Sequence, residues 1–545
     1  MVLFESKKKS FLLGLFLFVL SYILVIDNFS LQSAVDGGII IDNQISFPSQ
    51  FSNIEDIHFN TWTLLNHFSL ILIKIGLNSF IISKILLYIS TLFFSLGIFL
   101  ITINLTQNIF LSLFLVCFTL VGKINFGNVD FPALLYFRGT YGLYALSTFT
   151  IFIGFLFNKN FRLAGFFLVL LFCIHIVVGA WVILIMLSTL IYLKYINKKK
   201  ILEPNFINNF TKGIFIAAPP VFYSFVFFYK NTVQKSEYNQ EHFNTYLNLW
   251  DHHRNITEIN YIYVLLTILL VVLYFIYHKK NHRNDFNKNF LFLFICFHCV
   301  GSLIIYMSFK IFPSLFPEIF VRAMIPRVFL IHTHIGYPLI ISFLFILLNS
   351  KFNFINNTKK FIGSIMVLII FGSLITIMKY ENRTYKSNKD LKSKISYRLN
   401  KFKDNLSNSL SPNEAEFWKS IKDLDSDGYF VTTFDTSEPT LKFGKKPYII
   451  NANYFDLVPY HPYTVDETKI ILEKIYGLDF KNPPIKFWPE IRNEWIVNIF
   501  EKRANSEWLE LSKKYNLSGV IVPSNWILQI NEKIKSDKYI FYSLQ

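Results

Sequence analysis

Ionisable side chains beside long apolar runs are the residues of this chain best suited to chemistry. Asp36 stands in SAVDGGIIIDNQISFPS, a carboxylate followed by two glycines. A carboxylate at the mouth of a membrane cavity can take the proton of an acceptor hydroxyl if it reaches that proton. The glycines allow another chain or a ligand to approach closely, although Asp-Gly is equally a common turn dipeptide. Glu55 and Asp56, adjacent in NIEDIHFNTW, are further catalytic or metal-binding candidates, or caps of the helix that follows. Arg138 lies in FPALLYFRGTYGLY, and Arg322 and Arg327 lie in IFVRAMIPRVFLIHTHIG. Guanidinium forks suit phosphate oxygens through paired donors and a permanent charge, so these arginines with His332 form a candidate phosphate site. Snorkelling to ordinary lipid headgroups is the alternative use of each.

Two further clusters carry polar and aromatic groups. Trp250, Asp251 and His252, with His253 and Arg254 in LWDHHRN, can bind substrate, polarise an imidazole or hold a divalent ion; a solvated loop is the plainer reading. Asn451, Asn453 and Asp456 precede Tyr460, His461, Pro462 and Tyr463 in NANYFDLVPYHPY, a combination that holds sugars or peptides by stacking and hydrogen bonding, or builds an ordinary structured loop. His332 and His334 point about 200° apart on a helix, which disfavours a shared metal. His298 between Cys296 and Cys299 imitates a metal motif, but the segment is apolar and reads as helix core. No cofactor is required by any motif; a divalent cation remains open. Without a glycine-rich phosphate loop or dinucleotide fingerprint, a nucleotide ligand is not expected.

The elements that must position these residues are membrane helices. Of 545 residues, 53% are hydrophobic and 16% charged, with 62 Phe and 29 Tyr. These proportions exclude a soluble or disordered chain. The formal charge of +17 gathers at the ends of apolar runs, so topology explains it better than nucleic acid does. Against the requirement of about 20 apolar residues per crossing, eleven segments qualify, several of them short. They are Phe11 to Ile26, Ile81 to Leu105, Ile109 to Gly122, Tyr141 to Phe157, Leu163 to Ile174, Ile176 to Leu193, Gly213 to Tyr229, Tyr261 to Tyr277, Phe290 to Phe309, Val328 to Leu348 and Phe361 to Met378. Lysines and arginines flank the run from Leu163 to Leu193, so two short helices turning near His175 to Gly179 keep both flanks on one side. The first segment has a basic start like a signal peptide but lacks a small-residue cleavage pattern, and reads as a retained helix.

With a cytoplasmic start, the loops 27–80, 123–140, 230–260 and 310–327 face outward, together with the terminal region 379–545. In the first loop, Thr61 to Gly76 suits a helix at the membrane interface. The terminal region mixes helix-like segments (Ala415 to Leu424, Val465 to Ile475, Ser506 to Lys514) with strand-like ones (Tyr429 to Thr433, Tyr448 to Ile450, Ser518 to Val522, Tyr539 to Tyr542). The expected fold class is therefore a polytopic α-helical membrane protein of about eleven transmembrane helices with a C-terminal extracytoplasmic α/β domain. All four cysteines lie in apolar runs, so that domain relies on packing alone.

This layout resembles the GT-C superfamily of membrane glycosyltransferases. The local likeness runs from Asp36 to about Leu105 and is carried by VDGGIIIDNQISFPS and the Gly76 to Lys84 spacing. The resemblance implies a sugar donor on a polyprenyl phosphate, a first-loop carboxylate as base and basic residues in later loops on the donor phosphate. Asp36 is the positional match for the carboxylate, then Glu55 and Asp56; Arg138, Arg322 and Arg327 match by location. The expected partners are a lipid-linked sugar donor and membrane lipids, with no nucleic acid, in a bacterial inner membrane. The N-terminus would be cytoplasmic and the terminal domain periplasmic. A transporter or flippase of a lipid-linked saccharide, or a non-catalytic scaffold displaying the terminal domain, are the rival readings.

Overall fold

A computed structural model describes residues 7–27, 29–51, 53–121, 140–196, 204–231, 237–254, 258–281, 286–352, 400, 402–407, 410–484 and 491–544. The expected crossing Phe361 to Met378 and the candidate Arg138 lie outside the described residues. The chain is mostly helical, with a small mixed sheet near its C-terminal end.

The membrane part runs through α1 (Lys7–Asp27), α2 (Ser33–Ile41), α3 (Asn53–Asn60), α4 (Leu64–Lys74), α5 (Ser79–Thr106), α6 (Ile109–Val121), α7 (Tyr141–Phe157), α8 (Phe161–Ile174), α9 (Ile176–Ile191), α10 (Pro204–Asn231), α11 (Gln240–Thr245), α12 (Tyr261–Asn281), α13 (Phe286–Ile311), α14 (Glu318–Arg322) and α15 (Leu330–Phe352). Six segments among the described residues are long and apolar enough to cross a membrane: Ser79–Thr106, Ile176–Tyr195, Asn205–Tyr229, Tyr261–Lys279, Asn289–Ile311 and Ile325–Leu347. Leu12–Asp27, Leu64–Lys74, Ile109–Leu120, Tyr141–Phe157 and Phe161–Ile174 are apolar but shorter. At 1.5 Å per residue, α8 spans only about 21 Å against a hydrocarbon core of about 30 Å.

Polar residues at helix ends set the boundaries. Asn78 caps α5 by accepting from the Ile81 amide at 3.0 Å, and α5 ends where Gln107 turns left-handed. Gly76, at φ +88°, makes the reversal between α4 and α5 that a side chain would strain. The backbone is extended at His175, which separates α8 from α9. Close helix contacts are made by small residues. A Cβ on Gly165 would stand 2.1 Å from the Phe210 carbonyl oxygen, and one on Gly213 would stand 1.9 Å from that of Arg162, so α8 and α10 cross almost backbone to backbone. α5 is enclosed by its neighbours, whereas α10 and α12 turn Phe215, Phe222, Tyr223, Tyr261 and Leu265 outward, as lipid-facing helices do.

In the terminal region the sheet order is β1-β2-β4-β3, with β1 (Tyr429–Thr432), β2 (Leu517–Pro523), β3 (Glu532–Lys535) and β4 (Tyr539–Ser543). β1 and β2 are parallel and the remaining pairs antiparallel. The expected strand Tyr448 to Ile450 is reduced to a single bridge between Tyr448 and Phe430, because the chain crosses the edge of β1 only briefly. Helices Pro412–Lys422, Phe434–Lys442, Ala452–Leu457, Val465–Ile470, Asn493–Lys502 and Asn505–Tyr515 surround the sheet. This region packs onto two connections of the membrane part. Tyr429 donates to the Pro48 carbonyl at 2.7 Å, Trp250 Nε1 to the Phe480 carbonyl at 2.8 Å, and Tyr246 to the Phe455 carbonyl at 2.8 Å. Loops 29–78 and 237–254 therefore lie at one end of the bundle, and Arg254 donates to the Arg322 carbonyl at 2.7 Å, which brings the segment before α15 to the same end.

Candidate functional site at the junction of the bundle and the terminal domain

Asp36 occupies neither a turn nor an open loop. Ala34 to Ile41 are buried, and Asp36-Gly37-Gly38 lies inside α2. The glycines serve helix packing: a Cβ on Gly37 would stand 2.4 Å from Asn66 Cγ, and one on Gly38 would stand 2.9 Å from Ser69 Cβ, both on α4. The close approach expected at these glycines is thus taken up by the chain itself. The Asp36 carboxylate meets Lys442 Nζ at 2.9 Å, and neither side chain is exposed to solvent. Lys442 also meets Glu438 at 3.0 Å. Burial pushes the Asp36 carboxyl up to about 7, against the pull of Lys442, while Glu438 pushes it further up. For Lys442, burial opposes its charge, but Asp36 and Glu438 outweigh that effect and hold its pKa above the ordinary value. Burial lowers neighbouring Lys445 to about 8. Burial and Glu438 thus favour the protonated form of Asp36, while Lys442 favours its carboxylate.

A second feature is a cavity whose lining does not include Asp36, Glu438 or Lys442. It is small and open, of about 80 Å³, and is lined by Gly142 and Leu146 of α7, His175, Val177 and Val178 at the start of α9, Ala323 to Ile331 in part, and Tyr460 of the terminal domain. Arg327 supplies its cation, and His175 and Tyr460 its other polar groups. Met324 lines it with φ 51°, a left-handed conformation that costs a non-glycine residue energy and is found preferentially at functional sites. The start of α7 joins the two features. Tyr141 donates to Asn66 Oδ1 at 2.8 Å and lies close enough to Asp36 to feel its charge, while the next residue, Gly142, lines the cavity.

The remaining candidates fall in different places. Arg322 pairs with Glu318, donates to the Tyr238 hydroxyl at 2.7 Å and lies over the Phe243 ring. His332 is buried in the bundle with Nε2 3.0 Å from Thr267 Oγ1. Trp250 is buried between the two parts of the chain, and Asp251 pairs with the buried Arg254. His252 follows in a short 3-10 turn and is half-buried. His461 Nε2 lies 2.8 Å from Thr61 Oγ1, and burial pushes that imidazole down to about 4. Glu55 and Asp56 lie on α3, whose last residue, Asn60, donates to the Tyr463 hydroxyl at 2.7 Å. Burial, then Asp56, raises the Glu55 carboxyl.

Lys442, His175 and Met324 belong to this junction without having been singled out as site residues, and Arg254 was named only as a member of a polar cluster. Arg254 binds the seam together: it pairs with Asp251, donates to the Arg322 carbonyl at 2.7 Å and the Asp456 carbonyl at 2.9 Å, and lies 4.9 Å over the Tyr460 ring. Its place in LWDHHRN signalled a cluster but gave no direction. Lys84, one of the residues carrying the family likeness, donates to the carbonyls of Leu406 at 3.1 Å and Ser407 at 2.8 Å, where the chain enters the terminal domain. Among the described residues no group of three His, Cys, Asp or Glu side chains is arranged to hold a metal. No protein-family model matches the chain, and no curated protein is significantly similar to it.

Proposed function

We propose that this chain is a membrane glycosyltransferase of the GT-C kind, moving a sugar from a polyprenyl-phosphate-linked donor to a cell-envelope acceptor. The supporting observation is the joint at Tyr141 and Gly142, with the buried Asp36 carboxyl, paired to Lys442, on one side and an arginine-bearing cavity on the other. In this reading Arg327 holds the donor phosphate and stabilises the charge that grows on it as the glycosidic bond breaks. Tyr460 stacks on the sugar, and Asp36 takes the acceptor proton once Lys442 yields to the acceptor. The topology that goes with it has eleven crossings and an extracytoplasmic terminal domain, in a bacterial inner membrane. Arg138, Arg322, His332, Glu55, Asp56, Trp250, Asp251, His252 and His461 then act around that centre.

The test is transfer from a polyprenyl-phosphate sugar in proteoliposomes. Asp36→Asn is expected to lower turnover by about 10²- to 10⁴-fold with the fold retained, the range for loss of a general base. Arg327→Gln is expected to weaken donor binding. Full turnover in the Asn variant would remove Asp36 from catalysis.

The sealed Asp36–Lys442 pair favours a second reading, a scaffold in which the pair fastens the terminal domain to the membrane part. Loss of domain docking in Asp36→Asn, with no transfer by the parent protein, would select it. Substrate flux without product would instead select a transporter or flippase.

A further inference from the structure

Polar side chains continue inward from the cavity. α7, α9 and α15 all begin at its wall, through Gly142, Val177 and Leu330, and run away from it into the bundle. One helical turn beyond the lining residues Leu146, Val178, Val328 and Leu330 come Thr150, Trp181, His332 and His334. They converge on His298 of α13. The His298 ring is 5.5 Å from that of His332, edge to face, and 6.2 Å from that of Trp181. His334 Nε2 lies 2.6 Å from Thr150 Oγ1. Ser302, one turn along α13 from His298, completes the group.

His298 is 2% exposed, His332 3% and Ser302 0%, while Trp181 is half-buried with its Nε1 enclosed. Among the described residues, neither ring nitrogen of His298 has a hydrogen-bond partner, nor do His332 Nδ1, Ser302 Oγ or Trp181 Nε1. Phe149 and Phe294, which stack on His298 at 5.4 and 6.3 Å, offer only ring faces. Burying several imidazole, indole and hydroxyl groups together without partners is costly, and such groups in proteins are normally satisfied by bound water. The side chains are not arranged to hold a metal.

We propose that His298, His332, Ser302 and Trp181 enclose bound water that extends the cavity one helical turn into the bundle. The water joins the cavity floor to His298. A neutral imidazole donates from one nitrogen and accepts at the other, so His332 and His298 pass hydrogen bonds along this chain while Thr267 and Thr150 hold the rings of His332 and His334. This inner site concerns the shape of the cavity and stands independently of glycosyl transfer.

The test is water-edited solid-state NMR on the full chain, ¹⁵N-labelled at histidine, in lipid nanodiscs. Magnetisation is expected to pass from water to the ring nitrogens of His298 and His332, whose signals are assigned by their loss in His298→Phe and His332→Phe. Transfer to D2O is expected to exchange both rings. Ring nitrogens that receive no magnetisation from water and keep their protons in D2O would overturn the proposal. If either phenylalanine variant fails to fold, Thr267→Val and Ser302→Ala assign the same signals by shifting them, and the exchange measurement on the parent protein still decides.

Discussion

Lys442 of the terminal domain reaches into the membrane part and meets Asp36 at 2.9 Å, with both side chains closed off from solvent. Removing one member of such a pair strands the other in a medium that solvates charge poorly. Lys442→Met is expected to destabilise the docked terminal domain by about 3–5 kcal/mol, and Asp36→Leu together with Lys442→Met by much less. A thermal-unfolding double-mutant cycle over Asp36→Leu, Lys442→Met and the double variant measures this; a double-variant loss equal to the sum of the two single losses would show that the pair contributes nothing as a pair.

Arg254 should be equally hard to replace. Its guanidinium serves Asp251, two carbonyls and the Tyr460 ring at once, which the compact ammonium of lysine cannot do. Arg254→Lys is expected to loosen the seam, read as faster limited proteolysis between the bundle and the terminal domain. Arg254→Ala, which leaves Asp251 buried without its cation, is expected to cost about 3–5 kcal/mol.

Acid should weaken the junction through its histidines. Burial lowers both His58 and His461 from 6.5 to about 4, so between these values the unfolded chain binds more protons than the folded one. Stability then rises with pH across that window, by on the order of 3 kcal/mol per histidine. Asp36 has the opposite sign: its raised folded pKa makes the folded state bind the extra proton, so its contribution is greatest in acid and falls as pH climbs from about 4 to about 7. The raised Glu55 carboxyl shares the sign of Asp36, so the histidines supply the rise in stability between about pH 4 and pH 6.5 and the two carboxyls oppose it. His58→Phe should flatten it, as followed by unfolding midpoints across pH.

The α8–α10 crossing leaves no room for a methyl group. Gly165→Ala would set a Cβ against the Phe210 carbonyl oxygen, which is backbone and cannot swing aside. The expected loss is about 1–3 kcal/mol, the usual cost of overpacking. Gly142→Ala, whose Cβ would meet nothing within 4 Å, is the matched control. Comparable unfolding of the two variants would refute the close-crossing argument.

The long apolar helices were legible because a membrane span must be continuous in sequence, whereas caps such as Asn78 emerged only from the structure. α2 was not, since Asp-Gly-Gly reads locally as a turn and becomes helical only where α4 covers its bare backbone. The helix Phe434–Lys442 was hidden by Pro439 and a polar sequence, and the edge strand Glu532–Lys535 by alternating charges that suit an exposed edge. Within the junction, Arg327 and Tyr460 were visible as residue types able to bind phosphate and sugar. Lys442 was not, because a lysine in LKFGKK looks like any solvated one until tertiary folding buries it against Asp36.

Tyr460 forms part of the cavity wall while its ring lies beneath the Arg254 guanidinium. A guest filling that hollow must press on a roof tile already clasped from above. A guest that shifts the Tyr460 ring would also shift its contact with Arg254, so occupancy and the hold of the terminal region would then be coupled by the same factor in both directions.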